Sequence, residues 1–182
     1  MATEIIARAN AGSIPLNIQS ATLGNGSILI DMAKLQLVQK LLRNQTLGPL
    51  MSRLSSKWIF KHSMKKLWSD KSKIDSNDLD SLWDMIQFKD GMNRASQVSQ
   101  YLKERVKYKD RWIGALQQSD IPIHFVWGKD DPIAVLAMAE ALHQLVPKST
   151  LNTLSNVGHY PMLEAPKRWS SAVLTTLAGS KS

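Results

Sequence analysis

Cysteine is absent from all 182 residues, which excludes a disulfide framework, a thiolate nucleophile and any cysteine-held metal. That absence fits a reducing compartment, so a cytoplasmic location is expected. No run of about 18 apolar residues occurs, so stable membrane insertion is not expected. Met1 to Ala11 also lacks the apolar centre of a signal peptide. Acidic residues are scarce in one stretch: Asp70 alone stands among Lys34, Lys40, Arg43, Arg53, Lys57, Lys61, Lys65, Lys66, Lys71 and Lys73. The formal charge of +8 is concentrated there, while the C-terminal third is nearly balanced. Internal repeats and low-complexity tracts are missing as well.

What is present suffices for one ordinary domain, because 43% of the residues are apolar. Ala2 to Ala9 reads as a helix that Gly12 and Pro15 terminate. Ile18 to Leu23 reads as a short buried strand bounded by the Gly24-Asn25-Gly26 turn. Four helical segments follow. Leu35, Val38, Leu41 and Leu42 make one apolar stripe, and Leu54, Trp58, Met64, Leu67 and Trp68 suggest a second. Leu79, Leu82, Trp83 and Ile86 make a third at i, i+3, i+4, i+7, with Asp75 or Ser76 as N-cap. A fourth runs from Arg94 to Gln117 and aligns Val98, Tyr101, Leu102, Trp112, Ile113 and Leu116. After Pro122 the pattern becomes strand Ile123 to Trp127, helix Pro132 to Val146, strand Leu151 to Leu154 and helix Ala165 to Leu177. Such alternation predicts an α/β fold with a parallel sheet, whose chemistry gathers at the C-terminal ends of the strands.

Two segments fall at those ends, Trp127-Gly128-Lys129-Asp130-Asp131-Pro132 and Asn156-Val157-Gly158-His159-Tyr160-Pro161. A carboxylate can fix an imidazole's tautomer and stabilise its protonated form, and the imidazole then moves protons to and from a nucleophile or water. The patterns G-x-x-D-P and G-H-Y-P-x-L-E-A-P resemble the last two motifs of the α/β-hydrolase superfamily. Within it the epoxide-hydrolase and haloalkane-dehalogenase relatives, and nearest the mesoderm-specific-transcript-like branch, are the most similar. The resemblance implies Asp131 as the acid, with Asp130 the weaker candidate, and His159 as the base. Glu164, Ala165 and Pro166 would start the terminal helix beneath it. It further implies a C-terminal core portion in residues 1–33 and 120–182, of about three strands with flanking helices, around a helical cap in residues 34–119. Arg111 to Leu116 resembles the cap's last helix.

The implied activity is hydrolysis of an ester, epoxide or carbon-halogen bond through a covalent intermediate, on a small apolar organic substrate, with no cofactor and no metal. The family's nucleophile stands on a G-x-S-x-G turn or its aspartate variant, and no such turn occurs here. Met1 to Arg8 resembles the helix that follows it. This chain alone is therefore expected to be inactive, and the strand at Ile18 to Leu23 to expose an edge prone to self-association.

Simpler readings stand beside these. Asp131 before Pro132 fits a helix N-cap, and His159 fits a structured loop. Asn25, Trp83 and Trp127 are candidate substrate contacts, although Asn25 also suits a turn and tryptophans at helical spacing suit a core. The basic run holds Trp58, Phe60 and Trp68, so a non-catalytic interaction module and a basic membrane- or nucleic-acid-binding surface remain alternatives. No nucleic-acid motif accompanies the run, and nucleic-acid binding is not expected.

Overall fold

The computed structural model describes residues 2–44 and 46–179. Its centre is a parallel sheet in the order β1 (Ala21–Leu23), β2 (Ile123–Gly128), β3 (Thr150–Leu154). Ala21 pairs with Ile123 and Leu23 with Phe125; His124 pairs with Thr150 and Gly128 with Leu154. Every residue of β2 is buried, as an inner parallel strand covered on both faces requires.

Helices then follow in chain order: α1 (Ala2–Asn10), α2 (Leu37–Leu42), α3 (Leu47–Leu54), α4 (Lys57–Lys65), α5 (Ser76–Gln87), α6 (Gly91–Val98), α7 (Tyr101–Lys107), α8 (Lys109–Gln117), α9 (Leu136–Leu145), α10 (Pro161–Glu164) and α11 (Pro166–Gly179). Ile6 and Ala7 of α1, Ala115 and Leu116 of α8, and Met138, Ala139 and Leu142 of α9 pack with Ile123, Phe125 and Trp127 on one face of the sheet. Val126, Leu154, Val157 and Ala172 of α11 make the smaller core on the other face. A third cluster, Leu67, Trp68, Leu79 and Ile133, seats the helical block on the loop after β2. No helix among the described residues is long and apolar enough to cross a membrane.

Several elements depart from expectation for local reasons. The first strand shrinks from Ile18–Leu23 to Ala21–Leu23, because its partner β2 begins only after Pro122, which has no N–H to donate. The second stripe splits between α3 and α4, where the Ser56 hydroxyl caps α4 by accepting from Ile59 N, and Leu67 and Trp68 lie beyond α4. The long helix expected over Arg94 to Gln117 is three, α6 to α8. At the first break the Gln100 side-chain amide donates to Ser96 O, the carbonyl a continuing helix would give to Gln100 N, and that backbone amide turns to Gln97 O at 3.1 Å. The helix expected from Pro132 begins at Leu136, since the Asp131 carboxylate folds residues 131–134 into a turn of their own. The terminal helix divides at Ala165, which precedes Pro166 and is held out of the helical region at φ −144°. Asp75 is the N-cap of α5, accepting from Asn77 N at 2.8 Å.

His124 sits on β2, 7% exposed, with Nδ1 2.8 Å from Thr150 Oγ1. Burial pushes its imidazole below the ordinary histidine pKa, so the unfolded chain takes up more protons than the folded one on acidification. Its contribution is complete above about pH 6.5 and is lost as pH falls from there toward the depressed folded value. Urea midpoints of the parent chain should therefore fall between pH 7 and pH 5 more steeply than those of His124→Gln. Equal slopes would show that this imidazole is not the group responsible.

Candidate active site

The site is built where β2 and β3 end. Gly128 closes β2, and a Cβ there would lie 2.3 Å from Gly158 O and 2.5 Å from Val157 O. Only glycine lets the loop after β2 lie directly against the loop after β3. Backbone bonds then lock the two, Lys129 N to Leu154 O at 3.0 Å and Asp130 N to Val157 O at 3.0 Å.

Asp131, 3% exposed, uses its two oxygens for different purposes. Oδ1 accepts from Ile133 N at 2.7 Å and Ala134 N at 2.9 Å, which is the capping role anticipated for it, spent on a turn. Oδ2 lies 2.7 Å from His159 Nδ1. A carboxylate only accepts, so the imidazole proton resides on Nδ1 and Nε2 is the ring's acceptor. The His159 side chain is 20% exposed while that of Asp131 is fully covered, so the pair is open only at the imidazole. Asp130 is exposed, and of the two neighbouring acids it is Asp131 whose carboxylate lies against the imidazole.

Asn25 follows β1 with φ 45°, a left-handed conformation that asparagine tolerates better than most residues. Its Nδ2 donates to Asp131 Oδ2 at 2.7 Å and to Gly158 O at 3.3 Å, and its Oδ1 accepts from Gly128 N at 3.1 Å. The reading of Asn25 as a substrate contact is thus corrected: it is 6% exposed and engaged with the acid and both loops. Trp127 is corrected likewise. It is fully buried in the sheet core, with Nε1 donating to Ala134 O at 2.6 Å. Trp83 is not among the side chains lining the cleft; it packs at 5.4 Å between ring centres on Phe60, which lines it with Leu82 and Ile86.

That cleft, of about 470 Å³, runs between the helical block and the strand ends. Ile133 and Tyr160 line it beside the acid-histidine pair, with Leu67, Met64, Phe60, Ile59, Val38, Leu42, Met92 and Val98 around them, and no charged side chain among the described residues enters the lining. A second cavity of about 590 Å³ shares Val38, Leu42, Ile59 and Met92 and extends to Leu37, Leu41 and Leu54. The Tyr160 ring stands edge-on to His159 at 5.1 Å. Burial, then the Tyr101 phenol and the Asp131 carboxylate, push the Tyr160 hydroxyl above its ordinary pKa, which keeps it protonated. In the basic run, Lys57 and Lys61 both reach Asp80, at 2.6 and 2.7 Å, and Lys73 reaches Asp70 at 3.5 Å. Among the described residues no cluster of three His, Asp or Glu side chains is placed to hold a metal ion.

Two residues of the site carried no local signal of their role. Asn25 reads as a turn residue, and Glu164 as the start of a helix; Asn25 meets Asp131, 106 residues on, and Glu164 meets Ser69, 95 residues back.

A sequence model of the α/β-hydrolase fold matches residues 6–166. LipZ of Mycobacterium tuberculosis is 34% identical over 175 residues, covering 96% of this chain and 60% of LipZ. The mouse mesoderm-specific transcript protein is 32% identical over 162 residues, covering 87% of this chain and 48% of its own. This chain therefore spans about half to three-fifths of the length of these relatives. Among solved structures, an α/β hydrolase fold protein from Burkholderia ambifaria superimposes with a TM-score of 0.69 at 16% identity, over 95% of this chain and 62% of its own. A thermophilic esterase from Thermogutta terrifontis does so with a TM-score of 0.60 at 17% identity, over 90% and 57%. Strand order, paired acid and histidine, and these matches agree, and the chain belongs to the α/β-hydrolase family.

Proposed function

We propose that these residues supply the proton relay and the apolar cleft of an esterase-like hydrolase that works in two steps through a covalent intermediate. One observation carries the reading: His159 Nδ1 lies 2.7 Å from a buried carboxylate, which leaves Nε2 as a base on a ring whose neighbour, Tyr160, lines the uncharged cleft. Asp131 orients the imidazole and stabilises the imidazolium; His159 takes the proton of the nucleophile, returns it to the leaving group, and then activates the water that releases the intermediate. The cleft takes the apolar part of the ester, whose burial is worth about 25 cal/mol per Å². Tyr160, protonated and edge-on to His159, forms the wall between imidazole and cleft.

The nucleophile and its oxyanion donors are needed for turnover, and no G-x-S-x-G turn in this sequence carries them. Hydrolysis of p-nitrophenyl esters tests both halves of the proposal. The chain alone should show no turnover that His159→Ala removes. Joined to a strand-turn-helix segment bearing a nucleophile, it should show turnover that His159→Ala lowers by about 100- to 10,000-fold, the range general acid-base catalysis supplies. Activity of the chain alone that depends on His159 would overturn the first expectation. Activity of the joined protein that is indifferent to His159→Ala would overturn the second.

A further inference from the structure

We propose that Glu164 is a positioning residue for His159, its carboxylate latching the histidine loop to residues 67–70 so that the imidazole and one wall of the cleft are held as a single unit. The proposal rests on the acid-histidine reading above and adds to it a residue that touches neither partner.

Glu164 closes α10, five residues after His159. One oxygen, Oε2, accepts from Gly158 N at 2.6 Å, immediately before the histidine. The other, Oε1, accepts from Ser69 N at 2.9 Å, from Asp70 N at 3.3 Å and from the Ser69 hydroxyl. The Ser69 and Asp70 donors belong to a segment 95 and 94 residues earlier in the chain. A carboxylate that merely capped the next helix would accept from the second or third amide of that helix, those of Lys167 and Arg168, whereas both Glu164 oxygens accept from Gly158, Ser69 and Asp70 instead. Glu164 forms no ion pair with a lysine, arginine or histidine among the described residues, so neutral donors supply the stabilisation of its charge. Bonds of that kind to an ionised acceptor are the strong ones.

The same two segments are joined a second time in the opposite direction, His159 N donating to Leu67 O at 2.8 Å. They lie so close that a Cβ on Gly158 would come within 2.3 Å of Leu67 O and 2.8 Å of Ser69 N. Leu67 lines the cleft with Tyr160, and Trp68 packs on the Tyr160 ring at 5.6 Å. Whatever enters the cleft therefore presses on a segment that Glu164 ties to the backbone of His159.

The experiment is NMR on the full chain labelled with 15N, comparing the parent with Glu164→Gln. The readouts are the low-field His159 Nδ1–H resonance and the exchange rates of the Gly158, Ser69 and Asp70 amides. Glutamine turns an N–H toward donors that the carboxylate satisfied. The three amides should exchange together about 10- to 100-fold faster, as loss of a charged acceptor implies, and the His159 line should broaden into exchange with water while unfolding stays cooperative. Ser69→Ala, which removes one donor and leaves the carboxylate, should show the same pattern in reduced form and decides the matter if Glu164→Gln does not fold. Leu102→Ala, at a buried α7 position that takes no part in the latch hydrogen bonds, lowers stability and should leave the His159 line sharp. An unchanged line and unchanged exchange in Glu164→Gln overturn the latch while leaving the acid-histidine pair in place. Equal broadening in Leu102→Ala overturns it by assigning the effect to general loosening. A parent chain with no Nδ1–H resonance overturns both proposals, since no imidazole is then held.

Discussion

Replacing Asp131 with alanine should destabilise the chain by about 3–5 kcal/mol, a large part of the ~5–15 kcal/mol that holds a domain of this size together. The reason is the number of donors that converge on one buried carboxylate. Ile133 N and Ala134 N point at Oδ1, and Asn25 Nδ2 and His159 Nδ1 point at Oδ2. Alanine leaves all four facing a cavity, and each unsatisfied buried donor costs about 1–3 kcal/mol before relaxation. Asparagine should separate the two duties of the residue. Its oxygen can still accept from the amides of Ile133 and Ala134, so most of the stability should survive. Its N–H₂ then faces the Asn25 and His159 donors, and the imidazole can pair with it only by accepting through Nδ1, which moves the ring proton to Nε2. Urea denaturation gives the first result and the 15N shifts of the His159 ring the second. An Asp131→Asn protein that keeps its proton on Nδ1 would contradict the arrangement drawn here.

The two readings of Asp131 in the sequence, a capping carboxylate and a partner for the histidine, fall on one oxygen each: Oδ1 takes the amides of a turn and Oδ2 lies against His159. That outcome shows what kind of information the sequence held. Signals confined to a few neighbouring residues were readable: Asp75 before α5, the apolar run of β2, and the acid and histidine motifs at successive strand ends. The juxtaposition of those motifs followed from parallel pairing, since adjacent strands must end side by side. Where a feature depended on a distant partner, the residues gave no warning. The length of β1 is set by Pro122, a hundred residues on, and the break between α6 and α7 comes with a side chain, Gln100, that takes a carbonyl from the helix before it. Trp127 has the chemistry of a pocket residue and the position of a core residue. Alternation along a strand buried on both faces does not tell the two apart. Asn25 and Glu164 are the clearest cases. Each is a polar group in a turn or at a helix end, and each acquires its role only when distant segments close on it, three for Asn25 and two for Glu164.

Asn25 is the position where a change of one atom should reverse the pH dependence of stability. Its amide donates to Asp131 Oδ2 from 2.7 Å, so Asn25→Asp sets a second carboxylate against the first in a buried site. The two cannot both ionise there at little cost, and the folded protein must hold an extra proton, on the pair of acids or on His159. In either case the folded state binds more protons than the unfolded one. A carboxylate or imidazole whose folded pKa is raised gives stability that is complete below its unfolded pKa and disappears as pH climbs through the folded value. Asn25→Asp should accordingly lose stability steadily from about pH 4 to pH 8 relative to the parent. Asn25→Ala should lose about 2–4 kcal/mol with little dependence on pH, because it orphans the Gly128 N–H and one lone pair of the acid without adding charge. Asn25→Gly should recover about 1 kcal/mol of that loss, since the backbone sits at φ 45° and glycine is indifferent to it. Denaturation midpoints of the three variants across this pH range separate the contributions. If Asn25→Asp tracks Asn25→Ala at every pH, the asparagine does not touch the acid, and the bond that ties β1 to the relay is absent.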